Sequence, residues 1–481
     1  MRKNISTLAI AFSGLVVALF TVSCEKNQQV AERDLNAGAL AVLHIPTDAQ
    51  GRIVPNASGN VLNLSASNTY LLDSVTRVPA GYTLNIPAGT TIQTGTARTY
   101  TVTNPLNPTD IQTRSIAGVL VVEKGGKLNA NGTATAPVVF TAASSSPQAG
   151  DFGGIIILGN APTNKPGTQE IEGLPKAPTA GGNTYGGSVA NDNSGSLKYV
   201  RIEYPGIRLF ENQEINGLTL GGVGSGTTLE HIQVSWSADD SFEFFGGTVN
   251  AKWLIANSGD DDDFDFDFGY SGKIQFAVGL KDPSSTHSTS GSPATSDANG
   301  IESDNDNTGA SPANTPITRP VLSNFTLLGY NSSTSTDLRN GNRWRRSSSL
   351  KIRNSVIAGF HGGSAFESVT SSGADFSYNV LHAFTSLYPP TGDTAPSFVS
   401  NVTTSKAATG VGTAIGLGTN PFYNSSSATP YNVNSARPTS TSTTSFAGTE
   451  YSSFFTPTTY RGAIAPSSVG ANWLAESWVV L

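Results

Sequence analysis

Asp239-Asp240-Ser241-Phe242-Glu243-Phe244 is echoed 22 residues later by Asp261-Asp262-Asp263-Phe264-Asp265-Phe266. A period near 22, with aromatic and acidic residues alternating inside each copy, is what one coil of a parallel β-solenoid produces when it stacks on its predecessor. Within Asp263–Phe268 an alternation of period two sends the three Phe to one face and Asp263, Asp265 and Asp267 to the other. Phenylalanine belongs inside, stacked on Phe242 and Phe244 of the preceding coil. The opposite face then sets Glu243 against Asp265 and Ser241 against Asp263, about 4.8 Å apart. Ile301-Glu302 and Phe366-Glu367 repeat the apolar-acidic step, which extends the ladder to later coils.

Around this repeat, short β-branched runs bounded by Gly, Pro or Asn read as strands between turns: 82–86, 118–122, 136–140 and 153–159. The segment 196–204 matches 228–236 in its apolar positions, and similar strands recur at 321–328 and 350–357. The pattern predicts an all-β chain, a right-handed parallel β-helix over residues 60–403 with about 22 residues per coil. Spacings beyond 22 call for loops on one edge, supplied by 160–193, 282–299 and 305–320, all rich in Gly, Pro, Ser, Thr and Asn. Residues 404–481 form a Ser/Thr-rich segment with late aromatics such as Trp473 and Trp478, expected to fold back and cap the solenoid.

The N-terminus carries a different message. Met1-Arg2-Lys3 precedes an apolar run from Leu8 to Val22, the form of an export signal and too short for a full membrane span. Cys24, the single cysteine in 481 residues, stands where a bacterial lipoprotein signal is cut. This predicts a signal peptide at 1–23, lipidation at Cys24 and a polar tether over 24–59. The expected address is the outer membrane of a Gram-negative bacterium, at the cell surface, with the membrane met only through the N-terminal lipid. The chain as written has 28 Lys+Arg against 35 Asp+Glu. This acidic balance argues against nucleic acid as a partner. No intrachain disulfide is available to the mature chain, so stability must come from a large core.

Gly153–Ala161, Gly217–Gly224, the Asp-Asp-Ser-Phe-Glu block, Asp267–Gly272, Ile301–Asp306 and Tyr460–Ala463 together resemble a family of Bacteroidota surface lipoproteins. The resemblance covers most of residues 80–480. It implies a right-handed β-helix of the pectin-lyase-like kind and a surface address, and it transfers no catalytic residue. A multidrug-transporter label sometimes attached to such proteins conflicts with the lack of membrane spans after the signal.

Two carboxylates about 4.8 Å apart repel by about 3.5 kcal/mol at an effective dielectric near 20 and by about 1 kcal/mol in water. An exposed ladder tolerates this. A covered one needs a cation, arginine partners or raised pKa values. Candidate ligands for Ca2+ or another hard cation are Asp239, Asp240, Glu243, Asp261, Asp262, Asp263, Asp265, Asp267, Glu302, Asp304 and Asp306. A solvated acidic face and acid/base catalysis are the competing readings. Arg339, Arg343, Arg345 and Arg346 crowd around Trp344, which suggests either an acidic-sugar site with Trp344 as a stacking surface, partners for the acidic ladder, or a solvated turn.

Hydrolase motifs of the pectin-lyase-like class are matched only superficially: Lys351-Ile352-Arg353 precedes His361 instead of following it, and Asn-Thr-Asp is absent. Five scattered histidines lack metal-ligand spacing, and no organic cofactor motif is present. The expectation is an envelope-anchored protein binding an extracellular ligand, a glycan with Ca2+. A polysaccharide lyase or glycoside hydrolase, and an adhesin whose partner is a surface protein, are the alternatives.

Overall fold

The computed structural model describes residues 41–66, 68–210, 213–285, 297–309, 313–335, 337–427 and 429–481. Cys24, the signal segment and the start of the tether lie outside the described residues.

Among them, 26 strands join one sheet in which successive coils pair in parallel register, the architecture of a right-handed parallel β-helix. The repeat that decides the fold lies in register: Phe242 pairs with Phe264, Glu243 with Asp265 and Phe244 with Phe266. The coil before contributes Leu218–Gly221 and the coil after Ile301–Asp304. These short rungs form the first face of the solenoid. Long strands such as Thr228–Ser235, Asn250–Asn257 and Lys273–Leu280 form the other two.

Each long strand bends where one residue adopts a left-handed conformation: His231 at φ 56°, Trp253 at 57°, Phe276 at 62° and Asn324 at 58°. Bulky residues rarely occupy this region, at a cost of roughly 1–2 kcal/mol each. Here ring stacking offsets it, with centroids 4.2 Å apart for Tyr199 and His231 and 4.4 Å for His231 and Trp253.

The interior is a set of apolar columns. One runs through Leu120, Ile155, Leu218, Phe242, Phe264 and Ile301, all buried. Phe242 and Phe264 stack with centroids 5.3 Å apart and planes 9° from parallel. Full burial stabilises by roughly 1.5–3 kcal/mol per such side chain, repeated coil after coil.

Three details depart from the sequence reading. The folded body begins well before residue 60: Val42–His44 pairs with Thr69–Leu71, and Ile45 and Ile53 are buried. Too few apolar residues occur there to show a period. The C-terminal segment runs along the flank, where Val411, Ile415, Phe422, Ile464 and Trp478 cover the outward apolar residues Ile255, Val278, Leu280 and Leu328. It reaches far upstream, with Ser477 Oγ donating to the Ala134 carbonyl at 2.6 Å. Third, the inward column does not include Phe268. Its φ of 49° breaks the alternation, and it packs outside with Phe245 under the 160–193 loop.

No helix among the described residues is long and apolar enough to cross a membrane.

Candidate carboxylate site on the first face

The outward column of the first face reads Arg77, Val121, Ile156, Thr219, Glu243, Asp265, Glu302, Arg343. After Arg77, which is paired with Glu123, the column is apolar at Val121 and Ile156, turns polar at Thr219 and carries three successive carboxylates before a second guanidinium. Loops cover the apolar part: Ile171 and Tyr185 of the 160–193 insertion, with Leu209, Phe210 and Ile215 of a hairpin, pack on Val121, Ile156 and Leu158. In the acidic stretch, Asp240, Glu243, Asp262 and Asp263 are buried, and Asp239, Asp261, Asp265 and Asp267 are half-buried.

Residues 239–267 gather where the turn leading into each rung meets the rung itself. Carboxylate oxygens of Asp239, Asp240 and Asp261 lie within 4.8 Å of one another, and so do those of Asp240, Glu243 and Asp265. Asp240 belongs to both groups. The turn is held by its own acids, since Asp240 Oδ1 accepts the Asp262 N–H at 2.8 Å and Asp262 Oδ1 accepts the Asn299 side chain at 3.1 Å. Asn216 donates to Glu243, while its own Oδ1 and the hydroxyl of Thr219 are buried without a hydrogen-bond partner. Asp267 accepts the Phe268 N–H at 2.7 Å.

Burial, and after it neighbouring carboxylates, raise Asp239, Asp240, Glu243, Asp262, Asp265 and Asp267 well above the usual carboxyl range. Two acids outside the repeat share this strain. Glu172, from the insertion, is pushed up to about 8 by burial and by Glu214 of the hairpin. Asp260 is pushed up to about 7 by burial and by Asp261. Periodicity could not reveal Glu172, on the insertion, or Glu214, on the hairpin strand Gln213–Ile215, because both lie outside the stacked rungs. Thr219 was within reach, because Leu218-Thr219-Leu220 carries the alternation of Phe242-Glu243-Phe244.

The remaining sequence candidates behave differently. Asp263 turns inward, because it precedes the regular rung and escapes its alternation. Its carboxylate lies 3.2 Å from Lys281 Nζ, with both side chains fully buried. Burial raises it to about 6 against the pull of Lys281. Asp306 serves its own loop, accepting from the Thr308 N–H at 2.8 Å and from Asn314 at 3.2 Å.

Glu302 and Asp304 face the arginine cluster. Arg343 lies 3.3 Å from Glu302, Arg345 contacts Glu302 and is 2.8 Å from Asp304, and Arg346 also contacts Asp304. Asp297 joins Arg343 at 2.6 Å and Arg339 at 2.8 Å, while Glu367 meets Arg343 at 3.2 Å. Of the readings open for these arginines, ion pairing with the ladder is the geometry observed. Trp344 is no stacking surface. It points into the solenoid at 0% exposure, its indole N–H donating to Asn342 at 2.8 Å. Its neighbours in the chain face outward because the rung alternates.

The molecule is thus a parallel solenoid whose first face turns from apolar to acidic along its length. A pectate-lyase-like β-helix domain matches residues 56–421, about three quarters of the chain. The chain belongs to the pectate-lyase-like β-helix family. No curated protein and no solved structure gives a significant match. Within the family's fold, the first face here differs along its length: apolar and covered at Val121 and Ile156, then acidic at Glu243 and Asp265, then acidic and paired with arginine at Glu302.

Proposed function

We propose that this β-helix is the body of a lipid-anchored envelope protein that holds Ca2+ on its first face and binds an extracellular acidic glycan there without cleaving it. The observation that carries the reading is the pair of carboxylate triads sharing Asp240, with the unpartnered oxygens of Thr219 and Asn216 beside Glu243. Calcium takes six to eight oxygen ligands in irregular geometry, which suits carboxylate, amide and hydroxyl oxygens drawn from three coils. Asp239, Asp240, Glu243, Asp261 and Asp265 would hold the ion, with Asp262 and Asp267 at its margin. A bound cation supplies the positive charge that otherwise repulsive acids need, and it offers a carboxylated sugar a point of attachment.

Binding is favoured over turnover by the state of the arginines. Proton abstraction from a uronic acid needs a base with a lowered pKa near the ion. Burial pulls Arg343 and Arg345 down, but Glu302 with Asp297 and Glu302 with Asp304 outweigh it, and both finish above the ordinary arginine value. The anchor rests on Cys24 and the export signal read from the sequence.

The test is a glycan array on the mature protein in Ca2+ and in EGTA, followed by calorimetry with oligogalacturonate and alginate oligomers. The proposal expects binding that requires Ca2+ and is lost in Asp240→Asn/Asp265→Asn. Silence across the panel with no heat from Ca2+ itself would refute it and leave a protein partner, sought by pull-down, as the reading. Appearance of unsaturated sugar ends would show a lyase.

A further inference from the structure

A second feature lies off the first face, at the corner where the third face ends. There Tyr204, Trp236 and Ser258 occupy the same position on three successive coils. Each backbone N–H donates to the next coil: Tyr204 to the Ser235 carbonyl, Trp236 to that of Asn257 and Ser258 to that of Leu280, at 2.8, 2.9 and 2.8 Å. All three are left-handed, with φ of 58°, 55° and 60°. The two rings stack with centroids 4.8 Å apart and planes 11° from parallel. The column then changes to serine, so no ring of this column follows Trp236.

A cleft of about 410 Å³ opens at that interruption, walled by residues 147–149 on one side and the Asp282–Ser285 turn on the other. Asp282 Oδ1 fixes that turn by accepting from the Ser284 N–H at 2.8 Å. Asp260, Asp282 and Ser237 bring polar atoms to the cleft, and its lining residues include no Lys or Arg. The parallel ladder of Tyr199, His231 and Trp253 makes an instructive contrast. Trp478 of the C-terminal segment packs edge-on against Tyr199 and His231, at 5.8 and 5.6 Å, whereas among the described residues Tyr204 and Trp236 belong to no apolar cluster.

We propose that this cleft is a second saccharide site, in which a neutral or amino-substituted pyranose lies against the indole of Trp236 and donates hydroxyls to Asp260 and Asp282. A pyranose has an apolar C–H face that matches an aromatic ring and a rim of hydroxyls that carboxylates accept from. The volume lies in the range of small-ligand pockets, about 300–1,000 Å³. A lining with two acidic side chains and no Lys or Arg disfavours a uronate and favours an uncharged or ammonium-bearing sugar. The site therefore takes sugars of a different charge from those proposed for the first face, and it needs no metal.

Saturation-transfer NMR and calorimetry on the mature protein, in EGTA, test this with neutral gluco-, manno- and galacto-oligosaccharides and with chitosan oligomers. At least one should bind, with affinity falling at least tenfold in Trp236→Ala, a few-fold in Trp236→Phe, and severalfold in Asp282→Asn, each variant melting near the wild type. Should Trp236→Ala fail to fold, the Phe and Asn variants and transfer to the sugar ring protons still decide. No binding by any of these probes overturns the inference, as does binding unchanged in the variants. Binding that vanishes in EGTA also overturns it, since it would belong to the first face; loss of Ca2+ binding alone leaves this site standing and removes only the other.

Discussion

Replacing Asp265 by Asn should stabilise the metal-free protein and destabilise the calcium-loaded one. Asp265 sits between Glu243 and Glu302 in a parallel column. At a rung spacing of about 4.8 Å each like-charged neighbour contributes about 1 kcal/mol of repulsion in water and about 3.5 kcal/mol at an effective dielectric of 20. Arg345 already draws on Asp265, so a net relief of about 2 kcal/mol is the working figure. The compact unit spans Leu40–Leu481. With an unfolding entropy near 2.1 cal/mol/K per residue, about 2 kcal/mol raises its melting midpoint by about 2 °C. Thermal melts at pH 8 in EGTA should show that rise. In excess Ca2+ the same variant should melt below wild type, because an ion ligand is gone. At pH 5, where the folded protein holds these protons, the EGTA difference should shrink. A variant that melts lower than wild type by the same amount in EGTA and in Ca2+ would refute the reasoning, since Asp265 would then be an ordinary structural acid.

Glu172 and Glu302 are both raised to about 8, so between about pH 4.5 and 8 the folded state binds protons the unfolded state has lost. Metal-free stability should therefore fall as pH rises through that window, by a few kcal/mol, while saturating Ca2+ flattens the profile; melts across pH 5–9 check both. Lys281→Met leaves Asp263 buried without its cation, and should destabilise by about 3–5 kcal/mol in urea unfolding. Adding Asp263→Asn to it should recover most of the loss. Trp344→Ala should lower stability by about 3–5 kcal/mol, as a core truncation does, and calorimetry on whatever fraction folds should find sugar affinity unchanged.

How much could be read from the chain depends on where each residue sits relative to a rung. Phe242, Glu243, Phe264 and Asp265 obey period two inside regular strands, and their echo fixed both the stacking and the pairing of acids. Asp263 and Phe268 flank the same rung, and there the alternation ends: one turns in to Lys281, and the other takes a left-handed φ and packs outside. Trp344 looked like a surface aromatic because four arginines surround it in sequence, yet alternation alone puts it opposite Arg343 and Arg345. Glu172, Glu214 and the Tyr204–Trp236 cleft depend on how insertions fold over distant coils, and no local period encodes that. The Thr219 and Asn216 oxygens stand out only through burial without a hydrogen-bond partner, which is a property of the stacked coils and not of the local sequence.

The most direct measurement is a crystal grown in Ca2+, with anomalous difference density recorded after exchange to Mn2+. The account predicts a peak among the carboxylates of Asp240, Glu243 and Asp265, or of Asp239, Asp240 and Asp261, with oxygen ligands at bonding distance. A map without a peak there, with these side chains splayed into solvent, would contradict it.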